Sequence, residues 1–471
     1  MKKTTIVLLV MAACFLSAYA RAQQAQWQAI PLTALDAFNN PGKNWSIAAD
    51  AAVDYNGTPA ITPVAGTGII INTVGTGTNS HLITNTQFGD VELELEFMMV
   101  KGSNSGVYLQ GRYEVQLFDS WMKPNPSFAD CGGIYQRWNE ALPGEEKGYQ
   151  GVAPLMNAAK APGLWQKLLV KFHAPKFNDK GEKIQNAYFE AVYLNGVLVQ
   201  QQVAVTGPTR SSYFTDEQPQ GPLVLQGDHG NVAFRNIKYR ALVPPAKMED
   251  VGDNPIVIST EGKPYLLRSF LNYGNKKLTH VISGGYPNQV NYSYDLKEGA
   301  LIQVWRGQFL DVTDMWHERG EPQLAKPLGA LVVLDDAPSL VVLGSLDAPW
   351  PDSVPFDDFH NKGYVLDANR FASYEYEVGG MHVVDKISTP QATGLTREIT
   401  VTGAPANLYF RVATAGKIQD LGKGLYAVND RSYYVQLAAG AKGITRQTPT
   451  DTELLVLVEP STTPLTYNLI W

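Results

Sequence analysis

Two short stretches of this chain carry residue types and spacings able to do chemistry. The first, Asn104 to Asp119, reads NSGVYLQGRYEVQLFD, two β-type runs joined at Gly111. Tyr113, Val115 and Leu117 alternate with Arg112, Glu114 and Gln116, so one face is apolar and the other polar and chargeable. Solvated sheet faces usually carry Thr, Lys or Ser. Arg, Glu and Gln in succession beside aromatic residues suggest a sugar-binding groove instead. Glu114 suits a base, an acid or a metal ligand, or else simply pairs with Arg112; Arg112 in turn can hold an oxyanion or a hydroxyl pair with its planar fork. The second stretch is Leu225-Gln-Gly-Asp-His-Gly230. His229 stands there in a tight loop at a strand end and is the first choice for proton transfer, because imidazole titrates near working pH. Its bland alternative is to cap the turn.

Around these, Gln116 and Gln226 suit sugar hydroxyls, each offering a donor and an acceptor, and Asn104 opens the same motif. Tyr108, Tyr135 and Trp121 are candidates to stack on a pyranose ring, or are core residues. Glu96 shares a face with Glu92 and Glu94, and is the one taken as a substrate contact, although three carboxylates on one strand usually face solvent. Asp119, five residues after Glu114, reads as a turn-starting Asp before Ser120. His173 is expected to be structural, and His81, with no neighbouring motif, to lie on the surface. No His, Asp and Glu set has a spacing that predicts a metal.

The elements that must position these residues are strands. The chain has 471 residues with 42 Gly, 29 Pro and 23 Tyr, a mix that suits many short strands and turns in two domains. Charged residues make up 18%, and the net charge of −7 argues against a nucleic-acid partner. From Trp27 to Leu242 alternating runs succeed one another: Val91 to Phe97, Trp165 to Phe172, Ala187 to Leu194, Val197 to Val203 and Pro222 to Gln226. Asn195-Gly196 between two of them is a strong hairpin signal. This order predicts an all-β, two-sheet antiparallel sandwich over residues 27–242, a linker at 243–253 beginning Val-Pro-Pro, and a second β-sandwich-type domain at 254–471. In that second part Asp311 to Arg319 reads as a short helix, and His317-Glu318 lacks the second histidine of a zinc motif.

Residues 1–22 read as an export signal: Lys2 and Lys3, an apolar run from Thr4 to Leu16, then the small-x-small sites Ala18-Tyr19-Ala20 and Ala20-Arg21-Ala22. The reading is of a periplasmic or secreted protein, with lipoprotein anchoring at Cys14 the lesser alternative. No later stretch approaches the roughly 20 apolar residues of a spanning helix. Cys131 would then be the only cysteine, so no internal disulfide is available, and a half-buried structural thiol is preferred to a nucleophile.

The motifs Asn104-Ser-Gly-Val-Tyr, Arg112 to Asp119, Cys131-Gly-Gly-Ile-Tyr135, Asn195-Gly-Val-Leu-Val, Leu225 to Gly230 and Phe234-Arg-Asn-Ile-Lys-Tyr-Arg240 together resemble the secreted bacterial 3-keto-disaccharide hydrolase family over roughly residues 30–242. The resemblance implies a concanavalin-like jelly roll with substrate over the concave sheet. It also implies an oligosaccharide or glycoside substrate already oxidised to a ketone at C3. Such a ketone acidifies the C2 hydrogen, so a base can form an enolate, the C1 aglycone can leave, and water can add. That chemistry needs a base near C2, a hydrogen-bonding or positive partner for the enolate oxygen, and an acid for the leaving group. A divalent metal is a possible cofactor, as Lewis acid on that oxygen. Two other readings stand beside this one. Glu114-x-Gln-x-x-Asp119 echoes the Glu-x-Asp-x-x-Glu strand of laminarinase-type retaining hydrolases, with Gln116 in place of the middle Asp. A non-catalytic carbohydrate-binding module would keep the groove without the chemistry.

Overall fold

The computed structural model describes residues 25–55, 57–75, 77, 79–242, 255–316, 323–459 and 463–471. The expected signal at 1–22, the linker at 243–253 and the His317-Glu318 pair lie outside the described residues. The regular structure among the described residues is almost all antiparallel β, with 53% in strands and 3% in helix.

Residues 25–242 form two facing sheets and two small two-stranded ones. The larger has eight strands, among them Trp45–Val53, Ile61–Asn72, Val91–Met99, Gln166–His173, Ala187–Leu194, Val197–Val205 and Val232–Ala241. The smaller has five, among them Leu82–Phe88, Asn104–Leu109, Tyr113–Phe118 and Gly221–Leu225. Leu93, Leu95, Phe97, Leu168 and Val170 from the first meet Val107, Tyr113, Val115, Leu117 and Leu225 from the second in one buried cluster. The period of two thus turns every second residue of each strand into the sandwich and frees the others for the outer faces. At the Asn195-Gly196 turn both φ angles are positive (53° and 82°), the left-handed pair that a two-residue hairpin requires.

Strand Ile61–Asn72 carries no alternation in sequence because its first half is exposed and contains Pro63, Gly66 and Gly68. On the outer face of the larger sheet, Glu92, Glu94 and Glu96 are met by Arg240, Lys167 with Lys238, and Arg235 respectively. The partners lie on the neighbouring strands, so the three carboxylates form a cross-strand charge ladder rather than a binding row.

The second region has three sheets, of six, four and eight strands, which share one core containing Tyr292, Tyr374, Phe410, Tyr434 and Leu469. The expected second sandwich is therefore a three-sheet arrangement. Its helix is the single turn Thr313–Trp316. The two regions touch: Trp121 Nε1 donates to Trp471 O (2.8 Å), Trp165 N–H to Arg431 O (3.0 Å), and Ala161 and Leu164 are buried in the second region's core. Trp121 is thereby part of this seam and not a sugar platform.

Candidate active site

The candidate site is built on the outer face of the five-stranded sheet. In the hairpin, Tyr108 pairs with Glu114 and Gly106 with Gln116. Since Val107, Leu109, Tyr113, Val115 and Leu117 enter the core, Asn104, Gly106, Tyr108, Glu114 and Gln116 share the other face. On one side, Gln226 extends strand Gly221–Leu225, its N–H bonded to Gly106 O (2.9 Å). On the other, the Cys131-Gly-Gly-Ile-Tyr135 motif adds an irregular edge, with Tyr135 N–H bonded to Glu114 O (3.1 Å) and Gln116 N–H to Gly133 O (2.9 Å). Three motifs distant in sequence so become neighbours through backbone pairing.

Glu114 lies at the floor, 2% exposed. Its carboxylate occupies the space above Gly106, where a Cβ would stand 2.2 Å from Oε1, so only glycine leaves room for it. Burial pushes the Glu114 carboxyl up to about 8. The Tyr108 hydroxyl, hydrogen-bonded to it, pulls the other way, and the Asp228 charge adds to the rise. Glu114 is therefore a protonated acid through neutral pH. Tyr108 is itself buried, and burial raises its phenol far above the usual range. Gln226 Nε2 donates to the Tyr108 hydroxyl (3.4 Å) and also lies 3.4 Å from His229 Nδ1, so its side chain sits between floor and rim.

His229 stands at the rim, its side chain 54% exposed, with Nδ1 at 2.5 Å from Asp228 Oδ1. A carboxylate only accepts, so Nδ1 carries the proton and Nε2 is left with its lone pair, the tautomer of a general base. The loop under this dyad is tightly held. A Cβ on Gly227 would fall 2.3 Å from Ser80 O, and the Asn44 amide bridges Ser80 O (2.9 Å), Gly227 O (3.3 Å) and Asn72 Oδ1 (2.7 Å).

The same network delivers a residue that sequence reading placed on the surface. His81 Nδ1 accepts the Gly227 N–H (3.2 Å) and lies 3.9 Å from Asp228 Oδ1, while its ring stacks at 6.4 Å over Tyr108. A backbone N–H only donates, so the proton of His81 is on Nε2. Burial lowers its pKa, against the pull of Asp228, and keeps the ring neutral. Tyr213, exposed, sets its ring edge against His81 at 6.3 Å and is a second residue unsuspected from sequence. Neither sits in a readable motif; only the partners two elements away give them meaning.

The remaining expected residues divide. Tyr135 borders the floor and packs edge-on with Phe128 (5.7 Å). Gln116 Nε2 donates to Asn104 Oδ1 (3.1 Å) and Ala129 O (3.3 Å), so this pair buttresses the Glu114 strand. Arg112 is committed elsewhere: its guanidinium bonds Asp216 Oδ1 (2.6 Å), Asp216 O (2.5 Å) and Gln110 O (2.7 Å), and covers the Phe214 ring at 4.7 Å. It anchors the 209–217 loop and makes no ion pair with Glu114. Glu96 belongs to the opposite sheet, bonded to Arg235 (2.7 Å), and is not part of this face. Asp119 accepts the Gly102 N–H (2.8 Å) and so closes a turn, which removes it as the second carboxylate of a laminarinase-type pair with Glu114.

His173 bonds Glu190 (2.8 Å) and stacks on Tyr188. The Cys131 thiol is fully buried and pushed up to about 12, which leaves no nucleophile there. Among the described residues no group of three or more His, Cys, Asp or Glu side chains is placed as a set of metal ligands. No helix among the described residues is long and apolar enough to cross a membrane.

Two solved structures from Parabacteroides distasonis, both named only provisionally as glycosyl hydrolases, are similar to part of this chain. One is 25% identical over 45% of this chain and 84% of its own, with a TM-score of 0.31. The other is 20% identical over 46% and 100%, also at 0.31. At these TM-scores neither likeness carries an argument about the reaction. No curated protein sequence matches the chain. The sequence profile of one carbohydrate-active family matches residues 34–240, spanning every site residue from His81 to His229. Residues 34–240 accordingly match the 3-keto-alpha-glucoside-1,2-lyase-like domain, and this match supports the 3-keto-disaccharide hydrolase family.

Proposed function

We propose that this domain cleaves glycosidic bonds of 3-keto-glycosides by proton abstraction at C2 followed by elimination, outside the cytoplasm as the N-terminal signal suggests. The observation that carries the reading is the pairing of a carboxyl raised to about 8, Glu114, with a rim imidazole, His229, that holds a free Nε2. Direct glycoside hydrolysis by retention wants an ionised carboxylate nucleophile and a second carboxyl close by. Elimination wants an acid, a base and an enolate partner, which are the three groups on this face.

In this reading His229 Nε2 takes the C2 proton. The C2–H electron pair forms the C2=C3 bond of the enolate, and negative charge develops on the C3 oxygen. Neutral His81 faces that charge as a hydrogen-bond donor through Nε2–H. As the C3 ketone reforms, the pair shifts to C1=C2, the C1–O bond breaks, and the leaving oxygen takes the Glu114 proton. Asp228 holds the His229 tautomer and steadies the imidazolium, while Tyr135 and Tyr213 offer ring faces to the sugar. Addition of water across C1=C2 makes the net result hydrolysis.

The test is hydrogen exchange in D2O with a 3-keto glucoside. Glu114→Gln is expected to cut aglycone release by about 10²–10⁴ while the recovered substrate still acquires deuterium at C2. His229→Ala should lose both. Release and exchange that fall together in Glu114→Gln would put the base, not the acid, at Glu114.

A further inference from the structure

The second region holds a cavity of about 1000 Å³, lined entirely by residues 276–453 and separate from the Glu114 face. Its floor is a lattice of ion pairs. Glu453, buried, accepts from Arg411 (2.6 Å) and Arg446 (2.5 Å), and Arg411 also binds Asp335. The Arg411 guanidinium lies over the Trp350 indole, 4.7 Å from the ring centre, and Trp350 Nε1 donates to Pro338 O (2.8 Å). Arg446 fixes the wall from Leu346 to Ala348 by donating to both carbonyls (2.6 and 2.7 Å). Wall and aromatic are thus held before anything binds, which lowers the ordering cost of a ligand.

The rim has a different character. Six carboxylates and three cations line the cavity, and each cation is ion-paired: Lys276 with Asp336, Arg411 and Arg446 with Glu453. Asp347 and Asp352 stay exposed beside Gln447 and Thr450. This surplus of acceptors repels phosphates, sulfates and uronates. A half-buried indole braced from behind, with carboxylates, an amide and hydroxyls around it, matches the needs of a hydroxyl-rich uncharged ring: a flat apolar platform and bidentate acceptors.

We propose that this cavity is a second carbohydrate-binding site, selective for neutral over acidic oligosaccharides, that holds glycan independently of the chemistry at Glu114. It goes beyond the reaction proposed above and does not depend on it. The experiment is isothermal titration of the full chain with maltohexaose, cellohexaose, xylohexaose and mannohexaose, and with oligogalacturonate as the acidic control. At least one neutral hexasaccharide should bind, with affinity unchanged in Glu114→Gln and lowered tenfold or more in both Trp350→Ala and the exposed-site variant Asp347→Ala. Oligogalacturonate should not bind. Binding of no neutral glycan, binding untouched in Asp347→Ala and Trp350→Ala, or loss in Glu114→Gln instead, would each overturn the proposal, and none of these depends on whether 3-keto sugars are cleaved.

Discussion

His81 and His229 lie on either side of the Asp228 carboxylate and carry their ring protons on opposite nitrogens. His229 gives Nδ1–H to Asp228 Oδ1 (2.5 Å) and keeps a lone pair on Nε2; His81 accepts the Gly227 N–H on Nδ1 (3.2 Å) and keeps its proton on Nε2. One loop therefore offers a base and a neutral donor side by side. The Gly227 backbone and the Asp228 side chain, adjacent in the chain, set the two tautomers, so neither histidine can take over the other's part.

The roles can be separated by substitution. His81→Ala is expected to lower kcat by about 10²-fold, the usual scale for one lost oxyanion donor, and His81→Gln, which keeps an N–H, to recover part of it. Steady-state kinetics on a 3-keto glucoside gives both numbers. Equal losses in the two variants would mean that His81 only shapes the loop.

Glu114 makes stability depend on pH. Its folded pKa, raised from 4.5 to about 8, means that between those values the folded chain holds a proton the unfolded chain has lost. Stability from this group is full below about pH 4.5 and falls as pH rises to about 8, by up to ~1.4 kcal/mol per pH unit. Glu114→Gln should flatten that slope in urea titrations at pH 6 and 8. If the wild-type slope persists in the variant, it comes from elsewhere.

Gly106→Ala probes the floor without replacing a reacting group. A methyl there meets Glu114 Oε1 at 2.2 Å and must displace the carboxyl. The expected cost is about 1–3 kcal/mol of stability, as for other overpacked sites, with at least a tenfold fall in kcat. Full activity in a correctly folded variant would show that the Glu114 position is not critical.

In the second region Asp385 and Arg397 form a fully buried pair, 2.6 Å apart, with the Tyr294 hydroxyl also donating to Asp385 (2.9 Å). Removing one partner strands a charge, so Arg397→Ala is expected to cost about 3–5 kcal/mol, read from denaturant midpoints at constant m. The double variant Asp385→Ala with Arg397→Ala should be less damaged than the sum of the two single changes.

How far the sequence reveals this molecule depends on the range of each interaction. Alternation is local, so Val91–Met99, Tyr113–Phe118 and Ala187–Leu194 are legible, and with them the face on which Glu114 and Tyr108 stand. His229 is legible because its loop is a compact motif. His81 is not, because its place in the site comes from a hydrogen bond with Gly227, 146 residues away in the chain. Arg112 misleads for the converse reason: its spacing from Glu114 is right for a pair, but Asp216, 104 residues on, takes its guanidinium. Glu96 misleads because alternation tells one face from the other but not which of two sheets a strand joins.

The central claim is that the Glu114–His229 face acts on sugars oxidised at C3. The most direct measurement incubates the purified full chain with a 3-keto glucoside and, separately, with its unoxidised parent, following aglycone release with and without chelator. Release from the keto sugar alone, lost in His229→Ala, is the predicted result, and the chelator arm reports whether a divalent metal takes part. Release from the parent with the keto sugar untouched would contradict the account and return the site to ordinary glycoside hydrolysis.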